Sequence, residues 1–313
     1  MRERGVKNLP KALMVVGPTA SGKTDLAIAL AKELRGEIIS IDSRQMYRGL
    51  EIGADIIPGR FIRRQGRHLY VAKGIPHHLI AIRKPDAPLS AAEVKVLAIQ
   101  AAHDAVGRGR LPIFAGGTGL YADMIARNFT VPEVPPNAAM RSRLAKRPLS
   151  SLYKELLKKD PVYASRISPL NRRYVTRALE VIAATGRAFS AQQGEGEPIF
   201  DILKIGIQRP RAQTYERIDR RVDRMMADGL LREARRLGKK YGWSLSSLSG
   251  LGHRQLGLYL EKKISLEEAV RLIKRDTRRF AKRQMTWFRR DKAIKWVKNE
   301  RDAKKIVKAF LSV

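Results

Sequence analysis

The chain has 313 residues, no cysteine, and 63 lysines and arginines against 30 acidic residues, a formal excess of +33. That length supports one large domain or two moderate ones with their own cores, and the lack of cysteine excludes a disulfide framework, thiolate zinc sites, iron–sulfur clusters and cysteine nucleophiles. So large a charge excess raises self-repulsion unless a polyanion is a regular partner, which points to nucleic acid, or else to a soluble enzyme rich in arginine.

Residues 12–16 are the longest apolar run near the start, too short for a signal-peptide core or a membrane span. With no isolated amphipathic segment and no lipidation signal, the expectation is a cytoplasmic protein without a membrane partner. The run itself reads as a buried strand, followed by a glycine-containing loop over 17–24 and a helix rich in Ala and Leu over 25–34. A second apolar strand, 37–41, runs into Asp42-Ser43. A helix over 91–106 precedes a third strand, 111–115, which runs into Gly116-Gly117-Thr118-Gly119. Strands alternating with helices predict an α/β fold, a parallel P-loop sheet covered by helices on both faces.

Residues 56–74 are basic and weakly patterned, and read as a surface excursion without assigned structure. The Pro-rich stretch 131–136 marks a boundary, and 137–193 is helical in pattern with an excess of Arg and Lys. The expected organisation is therefore a catalytic core made of 1–130 and 199–313, with 131–198 an inserted helical subdomain. Residues 202–207 read as a strand returning to the sheet. Helices over 212–228, 230–240 and 265–290 follow, then a last short strand over 293–297. There is no internal repeat and no low-complexity segment.

Gly17-Pro18-Thr19-Ala20-Ser21-Gly22-Lys23-Thr24 matches G-x-x-x-x-G-K-[ST] at every position, with the strand before it and the helix after it that this loop requires. Its glycines let backbone N–H groups curl around phosphate oxygens, the helix start adds positive potential, Lys23 neutralises charge and the Thr24 hydroxyl can ligate Mg²⁺. The same cradle serves ATP, GTP and any diphosphate ester. Asp42, at the end of the next strand, suits either Mg²⁺ ligation in an NTPase or a general base. The third strand ends without an acid, in small residues that bring backbone and one hydroxyl, that of Thr118, close to a ligand.

Other polar residues carry less specific signals. His77 and His78 are adjacent, so their side chains diverge and packing is favoured over joint metal ligation. Arg217 lies off the apolar stripe of its helix, Tyr215, Ile218, Val222 and Met225. Between Arg275 and Lys292 there are eight basic residues, with Arg275, Arg279, Lys282 and Arg283 near one helical face and Ile273, Phe280 and Trp287 on another. That basic face suits solvent or a run of nucleic-acid phosphates, with Trp287 assigned to the core.

Taken in order, Gly17 to Thr24, Asp42-Ser43-Arg44-Gln45-Met46-Tyr47-Arg48-Gly49, Pro76-His77-His78-Leu79 and Gly116-Gly117-Thr118-Gly119-Leu120-Tyr121 resemble the tRNA dimethylallyltransferase (tRNA isopentenyltransferase) family. Arg177-Ala178-Leu179-Glu180-Val181, Tyr215-Glu216-Arg217-Ile218-Asp219-Arg220-Arg221 and Ala281-Lys282-Arg283-Gln284-Met285-Thr286-Trp287-Phe288-Arg289 extend the likeness over residues 13–297. The resemblance implies transfer of a dimethylallyl group from dimethylallyl diphosphate to N6 of the adenine on the 3′ side of the anticodon, with Mg²⁺ as cofactor. It implies that Asp42 takes the N6 proton, that Lys23 and Thr24 serve the diphosphate and metal, and that Arg217 supports the leaving diphosphate, with Thr118 also in the catalytic set. The tRNA anticodon stem-loop would meet Asp42, Ser43, Arg44, Gln45, Thr118, Arg141, Arg173, Tyr174, Val175, Thr176, Arg177 and Arg283. A monomer is expected, since one chain can surround one anticodon stem, and the lack of a cysteine-containing zinc finger matches the shorter bacterial form.

The sequence departs from the family pattern at Ala54, Ala81 and His253, where Thr, Asp and Tyr are usual. This leaves open how the loop after Gly53 and the helix start near His253 are built. Two other readings stand beside the transferase: a P-loop small-molecule or nucleotide kinase with a helical lid, and a non-catalytic RNA-binding protein with a degenerate P-loop. The acid-free end of the third strand weighs against the first, and intact Lys23, Thr24 and Asp42 against the second.

Overall fold

The computed structural model describes residues 9–64 and 67–312. By contacts the chain divides into two compact units, Met1–Ala126 with Ile199–Val313, and Arg127–Pro198.

The larger unit is built on an eight-stranded sheet. Its first part runs β1 (Lys11–Val16), α1 (Lys23–Glu33), β2 (Gly36–Ser40), β3 (Arg60–Arg64), β4 (Arg67–Ala72), β5 (Ile75–His78), α2 (Ala91–Gly107), β6 (Leu111–Gly116) and α3 (Gly119–Ala126). In the smaller unit a two-stranded ribbon, β7 (Phe129–Thr130) and β8 (Gly194–Glu195), brackets helices α4 (Ala138–Ala145), α5 (Leu149–Lys159), α6 (Pro161–Arg166) and α7 (Arg172–Thr185). The chain then returns to the larger unit as β9 (Asp201–Ile207), α8 (Arg211–Asp228), α9 (Leu230–Tyr241), α10 (His253–Leu260), α11 (Leu266–Phe288), β10 (Lys295–Val297) and α12 (Glu300–Leu311).

Strand order is β10-β9-β1-β6-β2-β5-β4-β3, and the first six strands are parallel. Strand alternation splits the apolar residues between two covered faces. Ala12, Met14, Val16, Ile39 and Phe114 pack with Val94, Ala98 and Ala102 of α2 and Ala122 and Ile125 of α3. Leu13, Val15, Ile38, Ile113 and Ile205 pack with Leu26, Ala27 and Leu30 of α1 and Ala303 and Val307 of α12. The expected parallel α/β sheet is thus present, and 202–207 does return to it between β10 and β1.

The segment 56–74, expected to be an unassigned excursion, instead supplies an antiparallel extension, β3 and β4, on the edge beside β5. Its buried side is small: Tyr70 packs edge-on against Phe61 at 5.1 Å and donates to the Ile57 carbonyl at 2.5 Å. A strand pair with so few core residues carries little alternation to read. On α11 the buried face is Ile273, Thr277, Ala281, Gln284 and Phe288. Phe280, grouped from sequence with Ile273 and Trp287, is half-buried, with the Arg283 guanidinium 5.8 Å from its ring centre.

In the smaller unit, Leu144, Leu152, Leu156, Val175, Ala178, Leu179 and Ile182 form a separate core. Within it the Glu180 carboxylate, 1% exposed, accepts from both Nε and Nη2 of Arg141 at 2.8 Å, from Nη1 of Arg177 at 2.7 Å and from the Asn137 backbone N–H at 2.7 Å. A charge so buried persists because all its neighbours are donors.

Candidate active site

One cleft opens at the C-terminal ends of β1, β2 and β6, where ligands of open parallel sheets sit because the loops diverge there. It encloses about 670 Å³, open solvent at its mouth included, and Thr19, Lys23, Thr24, Asp42, Gln45 and Gly116 line it. The sequence motifs after three separate strands therefore converge on one space.

The loop between β1 and α1 has the shape of an anion cradle. Gly22 is the N-cap of α1 at φ 96°, a left-handed conformation that a side chain would strain. With no capping side chain, the N–H groups of the first helical turn remain available to a ligand. Ser21 Oγ is buried and meets no partner among the described residues. From outside, Arg209 Nε donates to the Ser21 carbonyl at 2.6 Å and Arg217 Nε to the Ala20 carbonyl at 2.8 Å. Because a peptide's C=O and N–H point opposite ways, holding the Ser21 carbonyl outward turns the Gly22 N–H inward. Arg221 Nη1 donates to Thr19 Oγ1 at 2.9 Å, and its Nη2 lies 3.0 Å from Asp55 Oδ2.

Gln284 couples this loop to the third strand end. Its Oε1 accepts from Thr19 N at 2.8 Å while its Nε2 donates to the Gly117 carbonyl at 2.7 Å. A Cβ at Gly117 would run into that amide, so the glycine is what lets Gln284 through. Asp42 is held by its own turn: its Oδ1 accepts from Arg44 N at 3.0 Å. The next N–H, that of Ser43, donates to Thr118 Oγ1 at 3.2 Å. Thr118 thus fixes the turn that carries Asp42.

The electrostatics are those of a cationic cleft suited to an anion. Crowding by the cleft walls lowers the Lys23 ammonium from 10.5 to about 8; Arg221 adds to the fall, while Asp42 and Asp55 oppose it. Burial likewise lowers Arg221, with Asp55 opposing. Asp55 is presented by a loop anchored through Glu233, whose carboxylate accepts from Ile52 N at 2.8 Å and Gly53 N at 2.9 Å. His253, the first residue of α10, is buried and bonded to the same carboxylate at 2.8 Å, which settles how that helix start is built.

Several residues expected to meet RNA are engaged elsewhere. The Arg44 guanidinium donates to the Ser246 and Ser247 carbonyls at 2.8 and 2.7 Å. Arg141 and Arg177 grip Glu180, and Arg177 also reaches the Pro132 and Val134 carbonyls. Val175 is fully buried in the core of its unit, so its side chain is a packing element and not an RNA contact. Arg173 and Tyr174 are exposed on α7, Thr176 is half-buried, and Arg283 is exposed on α11. Trp287, expected in the core, is partly buried and packs against it, donating to Asp123 Oδ2 at 2.9 Å.

Arg209, Arg221, Asp55 and Gln284 also belong to the site and carried no role from sequence, and His77, read there as a packing residue, lines the cleft. Arg221 stands four residues after Arg217, on the same helical face, and Arg209 follows the end of a predicted strand. Those two positions were signals, and Gln284 lay within a stretch that carries the family resemblance, without a role of its own; Asp55 gave none.

A sequence model of the family described as IPP transferase matches residues 45–291, and one described as isopentenyl transferase matches residues 10–62. The tRNA dimethylallyltransferase of Pelotomaculum thermopropionicum is 43% identical over 92% of this chain and 90% of its own. That of Moorella thermoacetica is 41% identical over 90% of this chain and 88% of its own. Among solved structures, the tRNA isopentenylpyrophosphate transferase of Bacillus halodurans superposes with a TM-score of 0.69 at 34% identity, covering 96% of this chain and 95% of the other. A eukaryotic dimethylallyltransferase acting on tRNA gives 0.71 at 27% identity, over 89% of this chain and 69% of its own.

Proposed function

The chain belongs to the IPP transferase family, and from the cleft we propose how it works and on which atom. It is an enzyme that transfers a dimethylallyl group to tRNA, with dimethylallyl diphosphate as donor. The acceptor is N6 of the adenine 3′-adjacent to the anticodon, and the setting is the cytoplasm, where tRNA is found. The observation that carries this reading is the presence of Lys23, Thr24 and Asp42 in one cleft, a diphosphate cradle facing a carboxylate.

An exocyclic amine is a poor nucleophile because its lone pair is delocalised into the ring. Asp42 accepts the N6 proton as the N6–C1 bond forms and the C1–O bond to diphosphate breaks, so nucleophilicity grows only as it is needed. The departing diphosphate gathers negative charge, which Lys23, the N–H groups at the start of α1 and the nearby Arg217 and Arg221 stabilise most where that charge is greatest. Thr118 keeps the Asp42 turn in place. An adenine stacked in the anticodon loop must be flipped out to reach Asp42, at a cost of about a few kcal/mol, and phosphate contacts with the basic surface offset it.

The donor set fits Mg²⁺ through the Thr24 hydroxyl in a cleft that binds a diphosphate; Asp42 is kept for the N6 proton, and the Asp55 oxygens are held by Arg221 and Arg224. Among the described residues no cluster of three or more His, Asp or Glu forms a dedicated cage, and Mg²⁺ is commonly held by one or two protein oxygens, substrate phosphates and water. When bound, it neutralises charge on the diphosphate.

The test is labelled prenyl transfer into unmodified tRNA, followed by digestion to nucleosides. The label should appear as an N6-substituted adenosine from the position after the anticodon. Label on another base, or ATP turnover in place of transfer, would overturn the reading.

A further inference from the structure

His77 is 4% exposed, yet it lines the cleft with Lys23 and Thr24. On β5 it pairs with Ile38 of β2, whose side chain packs against α1, the helix that carries Thr24 and Ala27 into the same cleft. Its Nδ1 lies 2.8 Å from the Ile75 carbonyl, which can only accept, so Nδ1 carries the proton. Burial pushes the ring below its ordinary pKa, and a neutral ring with its proton on Nδ1 leaves Nε2 a bare acceptor. Among the described residues Nε2 meets no donor.

A buried acceptor without a donor is costly. The donor substrate does not supply one: the prenyl group and an ionised diphosphate have no N–H or O–H, and no adenine is present when diphosphate binds alone. Of the hydroxyls lining the cleft, Ser40 Oγ is already paired, donating to Gln45 Oε1 at 2.8 Å. What remains is water. A hydrated divalent cation presents only water hydrogens to its surroundings, so the walls around it must be acceptors.

We propose that His77 is a positioning residue for the hydrated cation that accompanies the diphosphate, its Nε2 accepting a hydrogen bond from a cation-bound water on the Thr24 side of the cleft. This rests on the Mg²⁺ reading above. It gives the first histidine of the Pro76-His77-His78-Leu79 stretch a role distinct from that of His78, which is bonded at 2.6 Å to Glu37.

The test is calorimetric binding of inorganic diphosphate, with Mg²⁺ and with chelator, to the wild-type protein, His77→Phe and His77→Gln. Phenylalanine fills the space without an acceptor; glutamine places an oxygen near the Nε2 position. His77→Phe should lose about tenfold of the Mg²⁺-dependent gain in affinity, with metal-free affinity unchanged, and His77→Gln should restore most of the gain. An undiminished gain in His77→Phe, an equal loss in both variants, or a loss that persists in chelator would overturn the proposal. If His77→Phe does not fold, His77→Leu takes its place. A wild-type protein showing no Mg²⁺ gain would refute the metal reading itself, whereas failure of the transferase reading would show separately in the prenyl-transfer assay.

Discussion

Binding of the donor should draw a proton from solution onto Lys23. In the free protein the cleft walls and Arg221 hold this ammonium at about 8, so at pH 8 about half the molecules have a neutral Lys23. A diphosphate beside the amine favours the charged form and returns it at least to its ordinary value of 10.5. Uptake on binding is then about half a proton at pH 8 and about a tenth at pH 7. The donor's terminal phosphate is fully ionised at pH 8, with a last pKa of about 6, and contributes little. The assay is titration of dimethylallyl diphosphate without tRNA, at pH 8, in buffers of different ionisation enthalpy; the slope of observed heat against buffer heat counts protons. Lys23→Met should bring the slope to about zero. Affinity should fall as pH rises above 8, where the free protein loses the charge, and stay level below it. In folding, a lowered amine pKa means the unfolded chain binds more protons between pH 8 and 10.5, so this group's contribution to stability rises with pH across that window. A wild-type slope near zero, or an unchanged slope in Lys23→Met, would refute the reasoning.

Arg221→Met should lower kcat/KM for the donor by about a hundredfold, and Arg221→Lys should recover little, because a single ammonium cannot span Thr19 and Asp55 as the planar guanidinium does; steady-state kinetics decides. Glu180→Ala should cost about 1–3 kcal/mol in denaturant unfolding, since it strips the Asn137 N–H and two partly solvated guanidiniums of their shared acceptor; a loss under about 0.5 kcal/mol would show the clamp to be idle. Glu37 is held down at about 2: burial opposes this, but hydrogen bonds from His78 and Arg108 outweigh it. Its stabilisation is therefore complete above its ordinary 4.5 and is lost as pH falls towards 2. The denaturation midpoints of wild type and Glu37→Gln should differ at pH 7 and converge near pH 2.

The sheet was readable because its central strands are covered on both faces: 12–16, 37–41 and 111–115 are nearly continuous apolar runs, each broken by a functional turn. The edge hairpin was not, because Arg60, Phe61 and Arg63 face solvent and carry no core pattern. Within the cleft, motif spacing carried Lys23 and Thr24, the strand end carried Asp42 as a candidate acid, and the family resemblance gave Asp42 its role as base. Arg209, Arg221 and Gln284 act through contacts spanning 188, 202 and 265 residues of chain, so local pattern could mark their positions but not their partners. Val175 lies within a stretch assigned as a whole to RNA contact; a helix turns successive residues through about 100°, so one member of any such run faces the core.

The central claim is that Asp42 takes the proton from the acceptor nitrogen, and it is tested most directly by Asp42→Asn, which keeps the turn and the shape but not the base. Single-turnover prenyl transfer to tRNA should slow by about 10²- to 10⁴-fold, while calorimetric affinity for dimethylallyl diphosphate stays close to wild type. Transfer within about threefold of wild type would contradict the account.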